Sequence, residues 1–149
     1  MFWEKYNEFI AEFGKGRKMV LSTSLDDRVS SRMMSVVLIN GLFYFQTDVT
    51  LGKYRQLKSN PNVALCIDNI QIEGVCMEIG HPMENGAFCE HFQQCFKGSY
   101  DAYTALKNER LFVVKPTVIE RWVYKDGIPY IELFDAEAQE YEINRYIGV

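Results

Sequence analysis

The chain has no cysteines spaced as CxxC, no long apolar run and no extended block of basic residues. Its four cysteines, Cys66, Cys76, Cys89 and Cys95, are scattered through the middle of the sequence. They spell neither a zinc ribbon nor the compact disulfide framework of a small secreted domain. No apolar stretch reaches the roughly 18 residues of a membrane span, and no signal peptide is recognisable, so a cytoplasmic protein with reduced thiols and no membrane association is expected. The densest basic segment, Lys15-Gly16-Arg17-Lys18, sits in a chain of formal charge −4, so general attraction to nucleic acid is not expected. Linkers, repeats and low-complexity stretches are absent too, and 149 residues fit a single domain over 1–149.

Aromatic residues are plentiful: ten Phe, nine Tyr and two Trp. That share suits a sheet-rich core or a flat-ring ligand. Phe2, Trp3, Tyr6, Phe9, Ile10 and Phe13 recur at helical spacing and predict an amphipathic helix over residues 2–13. Strands are expected at Met19–Leu25, Arg28–Ile39 and Leu42–Thr47. Asp26-Asp27 turns the first pair, and Asn40-Gly41 joins the second as a type I′ hairpin. A helix from Leu51 to about Ser59 stops before Pro61, and strands follow at Val63–Asp68 and Ile72–Ile79. Residues 85–108 read as two helices broken near Gly98-Ser99. The last strands are Leu111–Val114, Val118–Tyr124 and Ile128–Phe134, with Asp126-Gly127 turning the final pair and a polar tail after Asp135. Many short strands with hairpin turns point to a mainly β protein, an antiparallel barrel with flanking helices.

Arg32, Thr47 and Lys53 stand at the ends of these elements. The run from Arg32 to Ile39 is apolar except for Arg32 and Ser35, which reads as a strand buried on both faces and leaves its arginine in need of a specific partner. The next strand ends in the Thr47 hydroxyl, and Thr50-Leu51-Gly52-Lys53 opens a helix with Thr50 as its N-cap. A hydroxyl, a helix amino end and two cations make a pocket for a phosphate, not for a metal, and so for a phosphorylated cofactor. Read singly, Arg32 is a strand-edge arginine paired with Asp48 or Asp68, and Lys53 is a solvated helix lysine.

In order and spacing the chain resembles the pyridoxamine 5′-phosphate oxidase-like family of FMN-binding split barrels, most of all its short general-stress-protein-like members. The resemblance is carried by Arg32-Met33-Met34-Ser35-Val36-Val37, by Phe45-Gln46-Thr47, and by Gly52-Lys53 following that threonine. Gln56-Leu57-Lys58-Ser59-Asn60-Pro61-Asn62-Val63 and the late Ile119-Glu120-Arg121-Trp122 continue it, so that it spans roughly residues 15–127. It implies a split antiparallel β-barrel and a homodimer with two FMN molecules in clefts between subunits. Arg32, Lys53 and Thr47 would hold the phosphate. Backbone groups around Met33, Met34 and Ser35 would meet the ring edge, Val36, Phe45 and Gln46 would wall the slot, and Trp122 would come from the other subunit.

Departures from the family's pattern narrow the expected chemistry. Lys125-Asp126-Gly127-Ile128-Pro129-Tyr130-Ile131 stands where the vitamin-making oxidases carry substrate-gripping arginine and histidine. Val37 replaces a lysine that meets substrate, and Gly52 replaces the second cation of their Arg-Lys pair. Oxidation of pyridoxamine phosphate is therefore not expected. An FMN-dependent oxidoreductase acting on a small substrate or NAD(P)H is, with catalytic residues unassigned. The alternatives are a flavin-binding stress protein without turnover, a barrel for haem, a deazaflavin or another flat ring, and a purely structural dimer. Cys89, His91 and Cys95 lack a matched face and a fourth ligand, so no metal site is expected. Tyr100 and Tyr103 are expected to pack, and His81 to be an ordinary loop residue.

Overall fold

The computed structural model describes residues 1–148; Val149, the last residue of the expected domain, lies outside the described residues. After helix α1 (Phe2–Phe13) come strands β1 (Gly16–Leu25), β2 (Arg28–Ile39) and β3 (Leu42–Asp48), then helix α2 (Gly52–Ser59). Strands β4 (Asn62–Ile67) and β5 (Ile70–Glu78) precede helix α3 (Gly86–Cys95), and β6 (Glu109–Lys125), β7 (Ile128–Asp135) and β8 (Glu140–Arg145) finish the chain. All eight strands form one sheet in the order β3-β2-β1-β4-β5-β6-β7-β8, and β3 also pairs with β6. That extra pairing closes the first six strands into an antiparallel barrel, while the far half of β6 carries β7 and β8 away as an extension. The fold is a mainly β split barrel with flanking helices. Closure leaves none of those six strands with a bare edge at the closing seam.

Local chemistry sets the turns. Asn40 and Gly41 have φ of 51° and 81°, and Asp126 and Gly127 have 53° and 77°, the positive pair a type I′ hairpin demands. Asp26 and Asp27 take φ of 53° and 62° without glycine, using the tolerance of Asp for this region. The barrel interior is filled from all six of its strands, with Met19, Val36, Phe45, Leu65, Ile72 and Val114 fully buried. Helix α1 covers part of it with Phe2, Tyr6, Phe9 and Phe13, and Phe134 of β7 meets Phe9 at 5.6 Å between ring centres. The Tyr6 hydroxyl donates to Gly41 O at 2.9 Å, tying the helix to the hairpin, and burial pushes its pKa up to about 12. On the outer face, Phe88 and Phe92 of α3 pack over Val37 and Leu111.

Five details differ from the sequence reading. The two late strands expected at Leu111–Val114 and Val118–Tyr124 are one strand, β6, running through Pro116. A register shift at Glu73/Gly74 lets the proline sit in the ladder, and Gly74 is needed there because a Cβ would meet Lys115 O at 2.7 Å. Strand β2 is buried on both faces only from Val36 to Leu38; Met33 is 58% exposed. Thr50 does not cap α2: its backbone N–H and hydroxyl both donate to Asp48 Oδ1, at 2.7 and 2.6 Å, and Leu51 takes the cap position. The helical segment breaks at Phe96 and then passes through a short turn into a π-helical turn, Tyr100–Thr104. The polar tail contributes β8, paired along β7 from Tyr130↔Arg145 to Asp135↔Glu140. Among the described residues no helix is long and apolar enough to cross a membrane.

Candidate functional site

The alternation of β3 determines what faces the site. Phe43, Phe45 and Thr47 point into the barrel, where apolar side chains surround the first two. Thr47 comes last, at the barrel's mouth, and is only 3% exposed. Its hydroxyl has no hydrogen-bond partner among the described residues. A buried, unpaired hydroxyl costs on the order of 1–3 kcal/mol, a cost that an acceptor bound in the adjoining space would offset. Gln46 and Asp48 point to the outer side, where the Thr104 hydroxyl of the π-helical turn donates to Gln46 Oε1 at 3.0 Å. Thus β3 offers one inward orphan and an outward polar pair at the same end.

A cavity of about 500 Å³ opens at this place. Met33, Met34 and Ser35 of β2 and Gln46, Thr47 and Asp48 of β3 form one side. Lys53 reaches it from the first turn of α2, and Tyr103 and Leu106 close it from the segment after α3. The volume lies within the range of ligand pockets, roughly 300–1,000 Å³. A larger crevice of about 710 Å³ runs between α1 and the barrel, lined by Phe2, Trp3 and Tyr6, but among the described residues Lys115 is its only cation and no buried hydroxyl is left unpaired in it.

Lys53 is half-buried, and among the described residues its ammonium forms no ion pair. Burial first, and the positive charge of Arg32 second, lower its pKa, while Glu109 opposes the shift. The two cations are therefore neighbours, although Arg32 does not line the cavity. Instead Arg32 Nη1 donates to Leu21 O at 3.2 Å and Thr23 Oγ1 at 2.8 Å, and Nη2 donates to Gln56 Oε1 at 3.2 Å. Gln56 lies three positions after Lys53 on α2, hence on the same helix face. Of the five guanidinium N–H groups, Nε–H and one Nη2–H remain free among the described residues. Arg32 pairs with neither Asp48 nor Asp68; Asp68 meets Arg17 at 3.8 Å.

The structure adds one group that the sequence did not single out. Glu109 opens β6 opposite Asp48, lines the cavity and is 5% exposed. Burial, then Asp48, raise its pKa, against the pull of Lys53 and His81. The sequence pattern opens this strand only at Leu111, which puts Glu109 in a loop.

The remaining expected residues fall as follows. Met33, Met34, Ser35 and Gln46 join Thr47 and Lys53 around the cavity. Val36 and Phe45 do not: both are fully buried in the barrel, where Phe45 stacks on Phe112 at 5.5 Å. Gly52 begins α2 in open space, with nothing within 4 Å of where a Cβ would stand. Trp122 is on the far half of β6, 37% exposed, its ring 5.1 Å from that of Tyr146, and it does not reach the cavity of its own chain. Tyr103 is 54% exposed at the cavity rim, whereas Tyr100 packs against the Phe88–Phe92 cluster. His81 is held locally, Nε2 to Leu106 O at 2.8 Å and Nδ1 accepting from Met83 N at 3.1 Å. No cluster of His, Cys, Asp or Glu suited to a metal ion occurs among the described residues.

No family model matches the chain, and no curated protein is significantly similar to it in sequence. Solved structures are similar in fold. A pyridoxamine 5′-phosphate oxidase-related, FMN-binding protein from Nostoc punctiforme superposes with a TM-score of 0.63 over 99% of this chain and 93% of its own, at 12% identity. General Stress Protein 26 from Bacillus anthracis gives 0.58 over 80% and 92%, at 21% identity. The haem storage protein of Vibrio cholerae gives 0.59 over 76% and 88%, at 16% identity. The chain thus has the split-barrel fold of the pyridoxamine 5′-phosphate oxidase-like proteins.

Proposed function

We propose that this chain binds FMN and acts as a flavin-dependent oxidoreductase on a small substrate, with NAD(P)H as its electron donor. The observation that carries the reading is the orphaned Thr47 hydroxyl, buried at the same cavity as the unpaired Lys53. A buried hydroxyl without a partner beside a half-buried ammonium without an ion pair fits a ligand that is both anionic and rich in acceptors. A phosphate monoester has those properties. Lys53 supplies the charge and Thr47 donates one hydrogen bond, while Arg32, close enough to lower the Lys53 pKa, adds positive potential from outside the cavity. Met33, Met34 and Leu51 give the adjoining surface an apolar character that suits a flat ring. Once bound, the flavin supplies the redox chemistry, so the protein's part is to hold, orient and shield it.

Support for a shared cleft comes from the cavity mouth. Met33, Leu51, Tyr103 and Leu106 are each about half exposed there, at 58, 48, 54 and 49%. A second copy of the chain would cover that rim, and Trp122 would then be free to reach the ring from the partner.

Purified protein should be yellow or take up added FMN; a Soret band would instead favour haem. Lys53→Ala should weaken FMN by roughly 1.5–3 kcal/mol, the worth of a hydrogen bond to a charged group, while riboflavin, which has no phosphate, changes far less. Fluorescence quenching measures both. Equal losses for the two ligands would remove the phosphate anchor. Anaerobic mixing with NADH or NADPH should bleach the bound flavin at a rate fit for turnover; no bleaching would leave a flavin-binding protein without this activity.

A further inference from the structure

The carboxyl of Glu109 stands where an anchor for phosphate would be expected to keep only cations. It lines the same cavity as Thr47 and Lys53, is 5% exposed, and makes neither a hydrogen bond nor an ion pair within 4.0 Å among the described residues. Asp48 faces it across the β3–β6 ladder, Lys53 from α2 and His81 from the loop after β5, with Arg110 next to it along β6. Tyr103 looks onto the cavity from the π-helical turn. With no ligand present, Glu109 is the negative charge that partly offsets Lys53. A phosphate entering this space meets a carboxylate of its own sign, and each of two neighbouring like charges disfavours the ionised form of the other.

We infer that Glu109 is the internal counter-ion that an incoming phosphate displaces by proton uptake, so that phosphate binding in this cavity is coupled to binding of a proton. The inference rests on reading the cavity as a phosphate anchor. It gives the site a pH dependence opposite to that of an anchor made of cations alone. A free phosphate monoester loses its second proton near pH 6, so cations alone would hold it more tightly as pH rises. Here affinity falls instead, because the protonated carboxyl that donates to the phosphate is lost.

The test is FMN binding by fluorescence quenching between about pH 6 and pH 8, with riboflavin in parallel. For the native protein the FMN dissociation constant should rise by up to about tenfold per pH unit, the limit for one linked proton, while riboflavin shows no such slope. Glu109→Gln should flatten the slope and tighten FMN at pH 8 by about tenfold. Calorimetry of FMN binding to the native protein in two buffers of different ionisation heat should show net proton uptake near pH 7, and it needs no variant to fold. Zero uptake, or FMN affinity that climbs with pH in the native protein, overturns the inference. So does an unchanged slope in Glu109→Gln. If neither FMN nor riboflavin binds at any pH, the flavin reading fails by itself. Inorganic phosphate then serves as the probe: greater thermal stabilisation at pH 6 than at pH 8, abolished in Glu109→Gln, sustains the proton linkage, and equal stabilisation at both removes it.

Discussion

Glu109 is held nearly out of water opposite Asp48, and burial raises its pKa. This has a consequence for stability that is independent of any ligand. Above the ordinary carboxylate range the unfolded chain has released this proton while the folded chain still holds it. The unfolded state then binds fewer protons, so stability falls as pH rises from the ordinary value through the folded one and stays lowered above it. Glu109→Gln removes the ionisation and keeps the shape. It should stabilise the unliganded protein at pH 8 by on the order of 1 kcal/mol, and by much less near pH 4, as read from denaturant midpoints. A variant less stable than the native protein at pH 8 would mean the carboxylate is paired after all. Thr47 belongs to the same class: an unmet polar group tolerated at a mouth where a ligand can meet it.

At the scale of elements, α2 is the piece on which the anchor can be strengthened. Gly52 is exposed at its first position, and a side chain there would meet nothing within 4 Å. Gly52→Arg replaces the residue least suited to a helix other than proline and adds a cation beside Lys53. FMN affinity should rise by about tenfold at low salt and less at high salt, since an exposed charge is screened. Unchanged affinity at low salt would mean that the phosphate does not lie against this turn. The elements also show what could be read in advance. The α1 stripe and the Asn40-Gly41 and Asp126-Gly127 turns were legible because spacing and positive φ are local demands. Strand β6 was not, because Pro116 argues for a break unless the bulge at Glu73/Gly74, on another strand, is known. Thr47 and Lys53 both line the cavity, but which way each side chain turns is not a local property of the sequence: Arg32 is spent largely on Leu21, Thr23 and Gln56. Glu109 is not legible in the sequence because its place beside the cavity depends on the pairing of β6 with Asp48 of β3, which is far away in the chain.

For the whole molecule, the extension and the rim bear on assembly. Arg121 joins β6 to Glu132 of β7 and to Glu12 of α1, each at 2.6 Å, and Tyr141 of β8 donates to Glu132 at 2.6 Å. Barrel, helix and extension are thus fastened to one another within one chain. The cavity is different. Its mouth is ringed by half-exposed Met33, Leu51, Tyr103 and Leu106. A stable interface needs roughly 800 Å² from each partner, about a tenth of the 8630 Å² surface of this chain. If two copies meet over the rim, each FMN is enclosed by both, and flavin binding and dimerisation become linked by mass action. FMN affinity should then fall as the protein is diluted below its dimer dissociation constant, and saturating FMN should shift the dimer to lower concentrations in sedimentation experiments. Lys53→Ala should weaken the flavin while leaving the dimer of the unliganded protein intact. A monomer that binds FMN with the same affinity at every protein concentration would show that one chain encloses its ligand alone, and Trp122 would have no part in the site.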